Sequence, residues 1–288
     1  MIGFLKHFIK KYFQVLWMRR KYAPEVQIAQ RQLFHFYQLH HIHSNKINLT
    51  TAGYKVFSQF EEDGKILFLL AVVGIKNRTF IEIGSDDGLN SNCANLALNF
   101  GWTGLFMDGN ERSISRGRYF YSRYPTPFGD KPTFCNALVT RENINPLIEK
   151  NGLKGEVDFL SIDIDGNDYW IWDAIDMVSP RIVMIETHII YGKKNIVVPY
   201  DPNYSYPGKH PQYHGASPAA MVRLGAKKGY RLVGANQLGF NFIFLRNDLG
   251  VDTIPEVSID SILDHLTDKE NERVEPIVFT FPFVTPIE

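Results

Sequence analysis

The chain has 288 residues, of which 44% are hydrophobic, and its formal net charge is +0. A chain of this length can bury a sizeable core, and its neutral charge gives no reason to expect a nucleic acid as partner. Its two cysteines, Cys93 and Cys135, are too few for a disulfide framework or a zinc site. We therefore expect a globular protein of the reducing cytoplasm.

The first 57 residues predict a helical, basic extension. Residues 1–23 contain six lysines or arginines and no acidic residue, with aromatic and aliphatic side chains between them. The charges interrupt the apolar run too often for a membrane span of about 20 residues, and no signal-peptide cleavage site follows. Such a helix either lies peripherally on an anionic membrane surface or packs on the domain or on a second subunit of a homo-oligomer.

Residues 58–64 predict the start of a helix, with Ser58 as N-cap and acidic residues in the first turn. From Arg78 onward, short apolar runs alternate with helical stretches. Predicted strands cover residues 79–83, 104–107, 133–137, 157–162, 181–185, 230–233 and 242–245; predicted helices cover 89–100, 113–121, 143–150, 168–178 and 217–228.

The last two predicted strands are separated only by residues 234–241, which are too few for a helical crossover, so these strands should be antiparallel neighbours. The fold predicted is α/β: a doubly wound, Rossmann-like sheet of about seven strands, closed by an antiparallel hairpin. The corresponding domains are residues 1–57 (extension), 58–250 (α/β domain) and 251–288 (C-terminal tail).

The most informative motif follows the first strand, where Glu82, Gly84 and Gly88 have the spacing E-x-G-x-x-x-G. Dinucleotide sites instead carry G-x-G-x-x-G, which holds a pyrophosphate at a helix N-terminus. A nucleoside ligand without phosphates does not need that cradle. S-adenosylmethionine (SAM) is such a ligand, and its cationic amino-acid tail suits acidic neighbours. The alternative is a purely structural turn.

Three further stretches stand in order with this motif: residues 58–64 (SQFEEDG), 158–168 (DFLSIDIDGND) and 182–188 (IVMIETH). Together with residues 82–88 they resemble the FkbM-like family of class I SAM-dependent methyltransferases, over about residues 58–247. The resemblance implies O-methylation, commonly of a sugar in a polysaccharide, glycolipid or natural product. Residues 191–215 do not match, and we expect acceptor specificity to lie there.

Ligands of open α/β sheets bind at the carboxyl ends of the strands, which assigns candidate cofactor residues. The turn from Gly84 to Gly88, with Ser85 and Asp86, is expected to hold the methionine part, and Glu82 or Asp86 its ammonium group. The resemblance gives Asp108, at the end of the second strand, the two ribose hydroxyls. Asn136 and Ala137, at the end of the third strand, are candidates to flank the adenine, and Asp163 to lie beside the reactive methyl group.

Acidic residues cluster after the fourth strand, where Asp163, Asp165 and Asp168 repel one another unless a cation or hydrogen-bond donors offset them. One interpretation is a divalent metal such as Mg²⁺, held by Asp163, Asp165 and Glu186, which ends the fifth strand. Such an ion can lower the pKa of an acceptor hydroxyl. The other interpretation is a turn and helix cap at residues 165–168, with Asp163 bonded to backbone amides.

A sugar hydroxyl must also lose a proton, and His188 is the first candidate for the general base, with Asp163 as the other catalytic residue. His210 and His214 lie in the Tyr/Pro/Gly-rich stretch 200–215, whose length suggests a lid or an acceptor site. The leading hypothesis is thus a SAM-dependent O-methyltransferase with a sugar, glycan or glycolipid acceptor. The alternatives are a non-catalytic binding module with a methyltransferase-like fold and a nicotinamide-dependent oxidoreductase.

Overall fold

The computed structural model describes residues 18–40, 48–124, 130–264 and 274–286, and the chain divides into two compact units, Met1–Val139 and Thr140–Glu288. The predicted domain boundaries at residues 57 and 250 stay predictions. Residues 1–17 lie outside the described ranges, and so does the greater part of the basic segment predicted to contact a membrane. Within the described ranges, no helix is long and apolar enough to cross a membrane.

The first unit contains three parallel strands with helices before and between them. Its elements are α1 (Pro24–His40), α2 (Glu62–Val73), β1 (Thr79–Ile83), α3 (Ala94–Phe100), β2 (Thr103–Asp108), α4 (Glu111–Arg123) and β3 (Thr133–Asn136). β1 pairs with β2 and β2 with β3, both in parallel. Aromatic side chains join the layers: Tyr121 of α4 lies 5.7 Å from Phe106 and 5.2 Å from Phe134 between ring centroids.

The second unit contains β4 (Gly155–Ile162) and β5 (Val178–Glu186), paired in parallel, and then the hairpin β6 (Tyr230–Ala235) and β7 (Asn241–Arg246). Its helices are α5 (Ile144–Lys150), α6 (Asp168–Ala174), α7 (Pro218–Lys227) and α8 (Ile259–Leu263). The predicted cap of α7 is confirmed, because Ser217 Oγ accepts the amide of Ala220 at 3.1 Å.

The strand order of the seven-stranded sheet is β3-β2-β1-β4-β5-β7-β6, with β7 antiparallel to both β5 and β6. The predicted fold class is therefore confirmed, including the closing hairpin and a helix before the sheet. The continuous apolar sequence of the strands reflects burial on both faces of the sheet, since the four consecutive residues from Ile182 to Ile185 of β5 are all fully buried.

Two predicted helices are shorter in the structure. The helix predicted at residues 89–100 begins at Ala94, because the amides of Asn92 and Cys93 bond to the carboxylate of Glu82 rather than to a preceding turn. The helix predicted at 168–178 ends at Ala174. After the helix, the amides of Asp176 and Met177 donate to the side-chain oxygen of Asn145 and not to helix carbonyls. Strand β5 then begins at Val178.

The prediction of Ser58 as a helix N-cap is wrong, because α2 begins only at Glu62. Ser58 instead belongs to a loop that wraps around the buried carboxylate of Asp63. Oδ2 of Asp63 accepts the amides of Val56, Phe57 and Ser58 at 2.6–2.9 Å and the Ser58 hydroxyl at 2.9 Å. Burial raises the pKa of Asp63 to about 6, and the hydrogen bonds from this loop oppose the shift.

Asp63→Asn is expected to remove part of the pH dependence of folding. Because the folded-state pKa is raised, the native state holds a proton between about pH 4 and pH 6 that the unfolded chain has released. Asp63 therefore makes the protein less stable as pH rises through this window, by about 3 kcal/mol for roughly two pKa units. Urea unfolding at pH 4 and pH 7 should show the variant gaining stability relative to the wild type. The exposed Asp176→Asn is the control; parallel pH profiles for wild type and Asp63→Asn contradict the assignment.

Candidate functional site

The turn after β1 uses its backbone amides to hold itself together. The amides of Gly84 and Ser85 both donate to the Met107 carbonyl of β2, at 2.9 and 3.1 Å. The amide of Asp86 donates to the Asp108 carboxylate at 2.8 Å, and that of Gly88 to the Ser85 carbonyl at 2.8 Å. Phosphate-binding glycine loops leave such amides free for phosphate oxygens. The amides of Gly84, Ser85, Asp86 and Gly88 are therefore not available to bind a pyrophosphate.

Asp108 lies at the end of β2 with its carboxylate fixed by two backbone donors. Besides the Asp86 amide on Oδ2, the amide of Asn110 donates to Oδ1 at 2.7 Å. The side chain is partly exposed, and burial raises its pKa, against the effect of these hydrogen bonds. Each carboxylate oxygen accepts more than one hydrogen bond. The carboxylate of Asp108 is thus held in a fixed position with capacity for further donors, and its assignment to the ribose hydroxyls stays a prediction.

Glu82 is almost fully buried in β1 and has three donors from its own chain: the Ser91 hydroxyl at 2.7 Å and the amides of Asn92 and Cys93, both at 2.9 Å. These bonds organise the approach to α3, which accounts for an acidic residue in an otherwise apolar strand. Asp86 is the more accessible of the two predicted partners for a cofactor ammonium group. Its side chain is 50% exposed and contacts Arg116 at 3.1 Å.

The other predicted cofactor residues of this unit are Ser85, Gly88, Asn136 and Ala137, whereas Asp163 belongs to the second unit. The Ser85 hydroxyl is buried and has no hydrogen-bond partner within the described residues, which leaves it for a ligand or water. Gly88 has φ +67°, and a Cβ there would lie 3.1 Å from the Phe134 ring. Asn136 and Ala137 both donate to the Asp108 carbonyl, at 3.0 Å each. The residues present in this unit fit a nucleoside whose hydroxyls reach Asp108.

In the second unit, the structure brings together the three carboxylates predicted to bind a metal. Ligand oxygens of Asp163, Asp165 and Glu186 all lie within 4.8 Å of one another. The register of the parallel pair explains this, since Ile162 of β4 lies opposite Ile185 of β5, and the next residue on each strand is an acid. Burial raises the pKa of Glu186 well above its usual range, and the charge of Asp163 raises it further. A hard divalent cation would relieve this repulsion.

Asp168 has a different function from the three clustered acids. Its two oxygens accept the amides of Ile164 and Gly166 at 2.8 and 2.9 Å, so it closes the turn before α6. Burial raises its pKa to about 6. The alternative of a turn before the helix is therefore correct, and Asp168 closes that turn, whereas the backbone contacts predicted for Asp163 stay a prediction. Asp165, with φ +56°, sits at the point where this turn reverses.

Two histidines line a cavity of about 420 Å³ together with two of the acids, and we call this cavity the acid pocket. Its lining includes Asp165, Glu186, His188 and His214, and no lysine or arginine of the described residues. The histidine ring centroids are 4.0 Å apart. Nε2 of His188 lies 3.1 Å from the Gln212 carbonyl, which only accepts, so Nε2 carries the proton and Nδ1 the lone pair. Burial, and then His214, lowers the pKa of His188 to about 3.

His214 is a member of this pocket that the sequence only suggested as a second choice. The side chain is 8% exposed, and its Nδ1 is buried with no hydrogen-bond partner within the described residues. His210 serves the loop itself: its Nδ1 accepts the amide of Gln212 at 3.1 Å and its Nε2 lies 3.5 Å from the Glu275 carboxylate. Only one of these two loop histidines therefore lines the acid pocket.

The C-terminal segment 274–286, to which the sequence assigned no chemistry, packs against the loop that carries these histidines. The amide of Glu275 donates to the Gln212 side chain at 2.9 Å, and Val284 pairs with Val197 through hydrogen bonds of 2.8 and 2.9 Å. Val278 is fully buried in the same small core as Tyr191. Because the Gln212 carbonyl holds His188, this segment supports the geometry of the acid pocket. Its contacts are long-range, so no local sequence signal reveals them.

No family model matches the chain, and no curated protein matches its sequence. Solved structures with a similar fold include three methyltransferases. One is an O-methyltransferase from Bacillus cereus in complex with SAH, 14% identical over 75% of this chain and 88% of that chain, with TM-score 0.41. Another is magnesium protoporphyrin IX methyltransferase from Synechocystis with bound SAM, 11% identical over 84% and 95%, with TM-score 0.41. The third is the methyltransferase domain of bacterial CtHen1-C, 14% identical over 69% and 99%, with TM-score 0.41.

Likenesses this distant carry no conclusion about activity, and the resemblance to the FkbM-like family stays a prediction.

Proposed function

We propose that this protein is a SAM-dependent O-methyltransferase that acts on a hydroxyl group of a sugar or glycan, with the help of a divalent cation. The observation that carries the proposal is the acid pocket. Two of the three convergent carboxylates, Asp165 and Glu186, line it together with His188, whose Nε2 is held by the Gln212 carbonyl. Hard oxygen ligands beside a proton acceptor suit the binding and deprotonation of an alcohol.

The turn after β1 supports SAM as the cofactor. Four of its amides are used within the chain, which disfavours a pyrophosphate and hence the nicotinamide-dependent oxidoreductase. Asp108 would accept the ribose hydroxyls, and the unpartnered Ser85 hydroxyl and the half-exposed carboxylate of Asp86 would bind the amino-acid tail. When bound, SAM supplies a methyl group on a sulfonium, which is already activated for displacement.

The chain's own residues would orient the acceptor and take up its proton. Asp163, Asp165 and Glu186 would hold the cation, which supplies Lewis acidity toward a hydroxyl. His188 is held in one tautomer by the Gln212 carbonyl, so that a proton can be accepted at Nδ1. Alignment of acceptor and cofactor supplies much of the acceleration, since the displacement requires an in-line approach.

Calorimetry with SAM, SAH and NAD tests the cofactor assignment. We expect binding of SAM and SAH and none of NAD. Asp108→Ala should weaken SAM binding by roughly 1–3 kcal/mol, because two hydroxyls lose a desolvated acceptor. Asp108→Asn, which keeps one acceptor oxygen, should lie in between, and the exposed Asp130→Ala should match the wild type. An unchanged SAM affinity in Asp108→Ala would show that this residue does not bind the ribose. Binding of NAD without binding of SAM would favour the nicotinamide-dependent oxidoreductase.

The non-catalytic alternative is separated from the enzyme by turnover. Cells with and without the protein can be compared by mass spectrometry of their glycans, looking for the loss of a single methyl group. Formation of SAH by the purified protein with extracted glycan acceptors gives the same answer in vitro. Tight SAM binding with no methyl transfer to any glycan fraction favours the binding module.

A further inference from the structure

A second cavity of about 550 Å³ lies in the same unit as the acid pocket, and tyrosines line it; we call it the tyrosine pocket. Its volume falls in the range of about 300–1,000 Å³ typical of small-molecule sites. Tyr200, Tyr204 and Tyr213 provide aromatic surface. Polar side chains complete the lining, namely Asp201, Asn203, Ser205 and Lys209.

Two of the tyrosines are fixed through their hydroxyl groups. The Tyr200 hydroxyl donates to the Glu142 carboxylate at 2.7 Å and accepts the amide of Arg141 at 3.0 Å. The Tyr213 hydroxyl donates to the Pro282 carbonyl of the C-terminal segment. Because these hydroxyls are already used, the two rings can offer a ligand mainly their carbon surface.

The third tyrosine, Tyr204, connects the tyrosine pocket with the acid cluster. Its ring lies between two glycines: a Cβ on Gly166 would come within 2.2 Å of Cε1, and one on Gly208 within 2.7 Å of Cε2. Gly166 directly follows Asp165 in the acid pocket. The Tyr204 hydroxyl is buried with no partner within the described residues, and burial, and then the charge of Asp165, raises its pKa. Tyr204 thus lines the tyrosine pocket and packs against the residue that follows Asp165.

The combination of surfaces selects one ligand chemistry. Aromatic walls suit the apolar C–H faces of a pyranose, and a carboxylate, an amide, a hydroxyl and an ammonium group suit its hydroxyls. A flat, purely apolar ring would make no hydrogen bond to these polar groups, all of which are exposed side chains able to reach a ligand.

We propose that the tyrosine pocket binds a pyranose ring of the acceptor and that Tyr204 and Lys209 determine which rings are accepted. Tyr204 contributes its ring face, and Lys209 a hydrogen bond to a sugar hydroxyl. The inference rests on the proposed function only in identifying the bound ring as part of the methyl acceptor; sugar binding itself does not require methyl transfer.

Saturation-transfer difference NMR on the full chain tests this assignment. The probes are methyl α-D-mannopyranoside, methyl β-D-glucopyranoside and methyl α-L-rhamnopyranoside, with catechol as a flat aromatic comparison. We expect at least one glycoside to receive saturation, strongest on the protons of one ring face. Tyr204→Phe should bind it within about threefold of wild type, because the ring face is kept, and Tyr204→Ala should weaken binding by tenfold or more.

Lys209→Ala is a second test that does not depend on whether Tyr204→Ala folds. The Lys209 side chain is exposed, so we expect its removal to leave the fold intact. We expect a three- to tenfold loss of glycoside binding, and no loss in Lys227→Ala, an exposed lysine of the same unit outside the pocket. The proposal is overturned if only catechol receives saturation, or if no probe does. It is also overturned if a glycoside binds equally well to Lys209→Ala and to the wild type. SAM calorimetry is measured separately, so loss of the methyltransferase assignment and loss of this site give different results.

Discussion

Asp163→Asn is expected to eliminate most of the methyl-transfer activity, by roughly 10²–10³-fold, the scale observed when one preorganised electrostatic group is removed from an active site. Asp163 follows β4 and is one of three acids whose ligand oxygens lie within 4.8 Å of one another. The amide of asparagine keeps the size of the side chain but removes a negative charge from the cation site.

The measurement combines activity with metal binding. Chelation of the wild type should abolish methyl transfer, and Mg²⁺, Mn²⁺ or Ca²⁺ should restore it, whereas Asp163→Asn should resemble the chelated enzyme at every metal concentration. Electron paramagnetic resonance of Mn²⁺ reports binding without reference to activity. Asp176→Asn, an exposed acid of the same unit, is the matched control. Full activity after chelation, together with a free-Mn²⁺ signal that the protein does not reduce, contradicts a metal centre.

The acid cluster could be predicted because it depends on simple geometry. Two neighbouring parallel strands that each end in an acid bring those acids together, and the pairing of Ile162 with Ile185 is the register required. The fold could be predicted for a similar reason, since the segment between β6 and β7 is too short for a crossover. The different roles of Asp165 and Asp168 could not be predicted. They depend on which carboxylate accepts the amides of Ile164 and Gly166.

The loop residues of the two pockets were harder to assign. Residues 196–215 have no periodic pattern, and their conformation is set by contacts with distant parts of the chain, such as those of Val197 with Val284 and Tyr213 with Pro282. The sequence therefore predicts an acceptor site in this stretch but does not distinguish His210 from His214. In the structure, His210 contacts Glu275 of the C-terminal segment, and His214 lines the acid pocket.

The second large effect is expected for the histidine of the acid pocket. His188→Ala should lower turnover by about 10²–10⁴-fold, the usual contribution of a general base, with SAM affinity nearly unchanged. The physical reason is the fixed tautomer: Nε2 donates to the Gln212 carbonyl, which leaves Nδ1 as the proton acceptor. Turnover and SAM affinity should be measured on the same preparations, because only a chemical role separates the two quantities.

Tyr191→Phe is the matched control for His188→Ala. The Tyr191 hydroxyl donates to the same Gln212 carbonyl at 2.6 Å, so its removal perturbs the same loop without removing a proton acceptor. We expect this variant to lose less than tenfold in turnover, while His188→Ala loses far more. Equal losses in the two variants mean that His188 acts through the loop and not on the acceptor. Full activity of both His188→Ala and Asp163→Asn removes the acids and His188 from the reaction and leaves His214, with its buried and unpartnered Nδ1, as the next residue to replace.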